Sequence, residues 1–140
     1  MTKRILTIAL LGLLPFIATA KITIIEVHLP AGISHPLEAH YRDALVVALK
    51  NKGESPKIEV KCDGGRVDIL TEEYAIEVKT ATQWHKAIGQ AAHYATVLKR
   101  KPAIAIFDAK KLTAEKRSAL EKTAEDFKIE VFELVEKTRT

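Results

Sequence analysis

Gly65-Arg66-Val67-Asp68-Ile69-Leu70 and Ala75-Ile76-Glu77-Val78-Lys79-Thr80 are two alternating stretches that bring an aspartate, a glutamate and a lysine toward one another. Alternation of this kind is a strand signal. A hairpin turning between Glu72 and Glu73 sets Asp68 opposite Glu77, since both lie equally far from the turn, with Cβ atoms about 5 Å apart on one face. Lys79, two residues beyond Glu77, points to the same face. Ile69 and Ile76 then pair on the other face and belong to a core. Two carboxylates and an ammonium on one sheet face outline a site for a divalent cation and a phosphate. Mg²⁺ takes hard oxygen ligands, usually one or two carboxylates with waters and phosphate oxygens. Asp68 and Glu77 supply the carboxylates, and the backbone carbonyl of Val78 offers a third oxygen. A cation held there activates water and offsets charge building on the phosphate, while Lys79 is placed to orient that water and stabilise the transition state. For these residues in isolation, a surface hairpin with solvated charges is the plainer reading, because charged side chains mostly lie outside. The elements around them carry the argument further.

Residues 21–27 are apolar and β-branched, a candidate first strand, broken by Pro30, Ala31 and Gly32. Ser34, His35 and Pro36 read as a helix start, with a capping residue and a proline in the first turn. Leu37, Tyr41, Ala44, Leu45, Ala48 and Leu49 follow at helical period, and Asn51, Lys52 and Gly53 end the helix. Pro56 precedes a strand over residues 57–61, and Asp63, Gly64 and Gly65 make a hairpin turn. The two strands of the opening paragraph come next. Residues 83–100 form a second helix whose buried stripe is Trp84, Ala87, Ile88, Ala91, Ala95 and Leu98, with Pro102 as its stop. Gly89 inside that helix is unfavourable by about 1 kcal/mol relative to alanine, which predicts close helix–sheet packing beside it. Residues 103–107 are a short strand buried on both faces. A third helix over residues 112–126 and a strand over residues 128–134 complete the chain, with residues 136–139 frayed. The order is helix, three-strand meander, helix, strand, helix, strand, an α/β chain with a mixed sheet and a crossover.

At this point the chain resembles the PD-(D/E)XK nuclease superfamily. Asp68 followed by Glu77-Val78-Lys79 is similar to its D…ExK core, and the order of elements is similar to its common core. Gln90-Ala91-Ala92-His93-Tyr94 resembles the Q-x-x-x-Y motif of the RecB-like branch, on the helix after the ExK strand. Glu38 matches the upstream acidic position. The resemblance runs from about Pro36 to Phe107. It departs from the family at Val67, where a proline often precedes the aspartate. It implies a restriction-endonuclease-like fold and hydrolysis of DNA phosphodiesters with Mg²⁺ or Mn²⁺. It also implies metal ligands at Glu38, Asp68, Glu77 and the Val78 carbonyl, and catalytic or positioning roles for Glu38, Asp68, Glu77, Lys79, Gln90 and Tyr94. For Glu38 a second reason is equally good, since an acid in the first turn of a helix is favoured by the dipole. Gln90 and Tyr94, one turn apart on the shoulder of the buried stripe, have a plainer reading as an edge-of-core pair.

The five histidines match no zinc spacing, and a single cysteine gives no ligand partner set. Arg66 falls opposite Lys79 in the same register, an unfavourable pairing unless an anion lies between them. The formal charge of +4 includes Lys3 and Arg4, so the remainder is only mildly basic and argues weakly for nucleic acid. Residues 1–20 read as a secretory signal: basic Lys3 and Arg4, an apolar run over residues 5–17, and Ala18-Thr19-Ala20 as a cleavage site. That predicts a periplasmic or secreted protein without stable membrane association, residues 21–140 making one domain. One cysteine allows no internal disulfide, so the core supplies the stability. The rival to a DNA nuclease is a catalytically silent module of the same fold that binds nucleic acid or a protein. So small a domain has little surface for recognition, which leaves a homodimer open.

Overall fold

The computed structural model describes residues 22–137. The segment read as an export signal, residues 1–20, lies outside the described residues. Among those described, no helix is long and apolar enough to cross a membrane.

The chain runs β1 (Thr23–Val27), α1 (Glu38–Asn51), β2 (Lys57–Cys62), β3 (Gly65–Leu70), β4 (Tyr74–Thr80), a 3₁₀ turn (Ala81–Gln83), α2 (Trp84–Leu98), β5 (Lys101–Phe107), a second 3₁₀ turn (Ala109–Lys111), α3 (Ala114–Asp126) and β6 (Glu130–Glu136). The strands form one six-stranded mixed sheet in the order β1-β6-β5-β4-β3-β2. The pairs β1·β6, β6·β5 and β5·β4 are parallel; the β2–β3–β4 meander is antiparallel. The α/β class, the mixed sheet and the crossover helices therefore agree with the pattern of the sequence.

Two layers bury the two faces. On one, Tyr41, Ala44, Leu45 and Leu49 of α1 pack on Ile25, Val27, Ile69, Ile76, Val78, Ala103 and Ala105. On the other, Ala87, Ile88 and Ala91 of α2 and Leu120 and Ala124 of α3 cover Ile104, Ile106 and Val131. A smaller cluster joins Tyr94 and Ala95 to Val67 and Ala75. β5 is buried on both faces because it lies inside a parallel sheet covered by helices.

Several boundaries differ from expectation, each for a local reason. α1 begins at Glu38 rather than near Ser34, and the Leu37 N–H donates to His40 Nδ1 at 2.8 Å. α2 ends because Lys99 turns left-handed at φ 55. Pro102, expected as the helix stop, lies within β5 beside Ala75. α3 starts later, where the Thr113 hydroxyl accepts from the Lys116 N–H at 3.2 Å. β6 continues to Glu136, expected to fray, because β1 pairs with it through Val27. Gly89 is exposed, and a Cβ there would meet nothing within 4 Å, so close packing is not the reason for that glycine.

Candidate metal and phosphate centre

The β3–β4 turn is built as its residues require. Thr71 N–H donates to the Tyr74 carbonyl at 2.9 Å, and the Thr71 hydroxyl accepts from Tyr74 N–H at 2.8 Å and Glu73 N–H at 3.3 Å. Glu72 and Glu73 are thus the two turn residues. Leu70 pairs with Ala75 and Ile69 with Ile76, both isoleucines fully buried. The register is the one that the alternation predicts.

The ladder stops there. Hydrogen-bonded pairs alternate along an antiparallel ladder, so after 71/74 and 69/76 the Val78 N–H would next meet Val67. It donates instead to Asp68 Oδ2 at 2.8 Å, and the Asp68 N–H donates to Glu77 Oε1 at 3.3 Å. Two carboxylates have replaced backbone partners, and the strands part at that point. A strand residue directs N–H and C=O to the same side, so the Val78 carbonyl also faces the parting.

β3 is twisted at the same position. Val67 and Ile69 are two apart and should share a face. Val67 packs with Tyr94 under α2, whereas Ile69 packs with α1. Across the ladder Ile58 pairs with Ile69 and Val60 with Val67, while Glu59 between them has φ 48, a left-handed backbone inside a strand. The Glu59/Asp68 position is therefore where the β2–β3 ribbon turns over.

Glu77 is 3% exposed and Asp68 is half-buried. Burial first, and then the neighbouring Asp68 carboxylate, push the Glu77 carboxyl up to about 8; Lys79 and the Asp68 N–H pull the other way less strongly. A buried carboxyl beside a second carboxylate keeps its proton unless a cation is present. Their remaining oxygens and the Val78 carbonyl suit a divalent cation, which takes such ligands alongside waters and phosphate oxygens. By its donor chemistry, the parting fits Mg²⁺ or Mn²⁺.

Glu38 is not the third carboxylate of that set. Among the described residues no three His, Cys, Asp or Glu side chains gather where a metal ion would sit. Glu38 Oε1 lies 3.3 Å from Lys79 Nζ. Lys79 stands beside Ile106, on the α2 side of the sheet, yet its ammonium meets the first turn of α1. Arg66 does not oppose Lys79, because the ladder has ended; it pairs with Lys61 across β2 and lies 3.7 Å from Glu59.

Gln90 is exposed on α2, without a hydrogen bond to the two carboxylates. Tyr94 is 8% exposed, further in than the shoulder position expected. A Cβ on Gly65 would collide with its hydroxyl, and one on Gly64 with the His93 ring; His93 Nε2 lies 3.1 Å from the Asp63 carbonyl. Helix α2 therefore rests on the β2–β3 turn through Tyr94 and His93, and the two glycines permit that approach. Sequence reasoning missed Arg42, one turn after Glu38, whose guanidinium reaches Asp43 at 2.8 Å and Glu59 at 2.9 Å. The i, i+4 spacing from Glu38 was the available signal.

No family model matches the chain, and no solved structure matches it significantly. Among curated proteins it is similar to a KilA-N domain-containing protein of Acanthamoeba polyphaga mimivirus, 28% identical over 70 residues, covering 50% of this chain and 20% of that protein. The chain thus spans about a fifth of the length of the curated relative it matches, a partial likeness that assigns it to no family.

Proposed function

We propose that this domain is a divalent-metal-dependent nuclease of restriction-endonuclease-like fold that hydrolyses DNA phosphodiesters. One observation carries the reading: β3 and β4 part where Asp68 and Glu77 meet, so that carboxylates occupy a gap in the sheet instead of a ladder. A plain surface hairpin gives no reason to bury Glu77 against Asp68, because like charges there oppose folding.

Each residue has a role in this reading. Asp68, Glu77 and the Val78 carbonyl hold the cation. Bound there, the cation lowers the pKa of the attacking water and offsets charge on the phosphate. Lys79 donates to the reacting oxygens as their charge develops. Glu38 aims Lys79 through their ion pair, acting through Lys79 and not on the metal. Tyr94 fixes the β2–β3 turn and so the position of Asp68, and exposed Gln90 stands on the same helix toward incoming DNA.

The test is incubation of the domain with plasmid and linear DNA in Mg²⁺, Mn²⁺ or chelator, beside Asp68→Asn. Cleavage that needs metal and Asp68 supports the reading. Binding without turnover under every metal gives the role to a silent binding module.

A further inference from the structure

Near the two carboxylates lie three charged side chains that the reading above does not use: Arg42, Glu59 and Arg66. Glu38 and Arg42 are one turn apart on the same face of α1. Glu38 meets Lys79, and Arg42 meets Glu59 on β2. Glu59 carries Oε1 2.9 Å from Arg42 NH1 and Oε2 3.7 Å from Arg66 NH1. Its carboxylate bridges two guanidiniums, the arrangement in which arginines bind a phosphate.

Three further facts set this bridge apart from an ordinary surface pair. Glu59 has φ 48 within a strand, a conformation that a side-chain-bearing residue adopts only when its surroundings hold it there. It lies between Ile58 and Val60, whose partners Ile69 and Val67 flank Asp68, so the bridge lies beside the candidate cleavage site. The Arg42 side chain is only 16% exposed, and its Nε and NH2 are fixed on Asp43, which leaves NH1 for Glu59. Partial burial works against the charge of that guanidinium, but Asp43, Glu59 and Asp68 together hold it above its ordinary range.

We propose that Arg42 and Arg66 form a seat for a backbone phosphate next to the cleaved bond, and that the Glu59 carboxylate holds this seat until nucleic acid displaces it. The inference deepens the nuclease reading and rests on it for the identity of the ligand. Glu59 and Arg66 are about half exposed, at 47% and 58%, and exposed ion pairs are weak in water. A strand anchored by several phosphates can therefore displace Glu59. Without nucleic acid, Glu59 covers the guanidiniums and keeps other anions out.

The experiment measures binding of a labelled DNA duplex in chelator across a salt series, and single-turnover cleavage in Mg²⁺ and Mn²⁺, for the same variants. Glu59→Gln should tighten binding about threefold to fivefold, the strength of an exposed ion pair. Arg42→Gln should weaken it and reduce the slope of log K against log salt by about 0.9, one phosphate contact. Arg66→Gln should do the same, and its exposure makes a folding defect no concern. In the Arg42→Gln background the gain from Glu59→Gln should fall by half or more. Glu125→Gln, the same charge change on α3, should give a smaller gain. Equal gains from Glu59→Gln and Glu125→Gln, additivity of Glu59→Gln with Arg42→Gln, or no DNA binding by the parent would each overturn the seat. The two readings fail separately. If the parent cleaves but these variants bind alike, the seat is wrong and the nuclease stands. If the variants behave as expected but no metal supports cleavage, the seat stands and the nuclease reading is wrong.

Discussion

Glu77 makes the stability of the metal-free chain depend on pH in an unusual direction. Its carboxyl is raised from 4.5 to about 8, first by burial and then by Asp68. Between those values the folded chain keeps a proton that the unfolded chain has released. Stability therefore falls as pH rises through that window and levels off above about 8. One proton corresponds to about 1.4 kcal/mol for each pH unit, so moving from pH 6 to pH 7.5 should remove about 2 kcal/mol. With a urea dependence of about 2 kcal/mol/M, the midpoint should drop by about 1 M. Glu77→Gln has no proton to lose, and its amide oxygen can still accept from the Asp68 N–H, so its midpoint should stay flatter across the same range. Urea titrations followed by Trp84 fluorescence in chelator compare the two chains, and other titrating groups cancel in the difference. Mg²⁺ or Mn²⁺ should abolish the parent's decline by stabilising the ionised pair. Parallel pH profiles for the parent and Glu77→Gln would show that Glu77 ionises freely, and the argument for a cation between the carboxylates would go with it.

Other consequences can be checked on the same preparations. Lys79→Ala should slow single-turnover cleavage by about 10²–10³-fold while leaving the unfolding free energy within about 1 kcal/mol, because the side chain of its partner Glu38 is 41% exposed. Asp68→Asn should abolish metal binding by titration calorimetry, yet fold, since its carbonyl can still accept from the Val78 N–H. Gly65→Ala should cost about 1–3 kcal/mol for its φ of 147, and adding Tyr94→Phe should recover the part due to the hydroxyl. Gly89→Ala meets open space and should stabilise by about 0.5–1 kcal/mol in the same urea assay.

The sheet around the site was legible because its signals are local. Alternation on both sides of Glu72 and Glu73, with a two-residue turn between them, sets the 69/76 register without help from the rest of the chain. What lay beyond the sequence depends on tertiary context. Nothing in a glutamate at position 59 announces a left-handed backbone, so neither the turning over of β3 nor the parting at Asp68 could be anticipated. Alternation alone carries the ladder on through 68/77 and 67/78 to 66/79, which sets Arg66 opposite Lys79, whereas the pairing ends at 69/76. The ion pair of Glu38 with Lys79 has no signal in the sequence, because 41 residues separate them. Pro102 was misread because proline usually stops a helix, whereas here Lys99 ends α2 without a glycine. Glu136 was assigned to a fraying end because its strand partner, Val27, is remote in sequence.

That last pairing has a consequence for how the chain comes to be folded. β1 is the first described strand to leave the ribosome, and its neighbour in the sheet is β6, the last, with Thr23 beside Phe132 and Val27 beside Glu136. The meander, α2 and β5 can assemble from neighbouring segments as they are synthesised. β1 has to wait for nearly the whole chain, because its register exists only once β6 is in place. Until then Ile25 and Val27, both buried in the finished sheet, can lie against α1 but have no strand partner. A nascent chain arrested before residue 130 should therefore hold the candidate site's strands together while its amino-terminal strand remains open to chaperones and proteases.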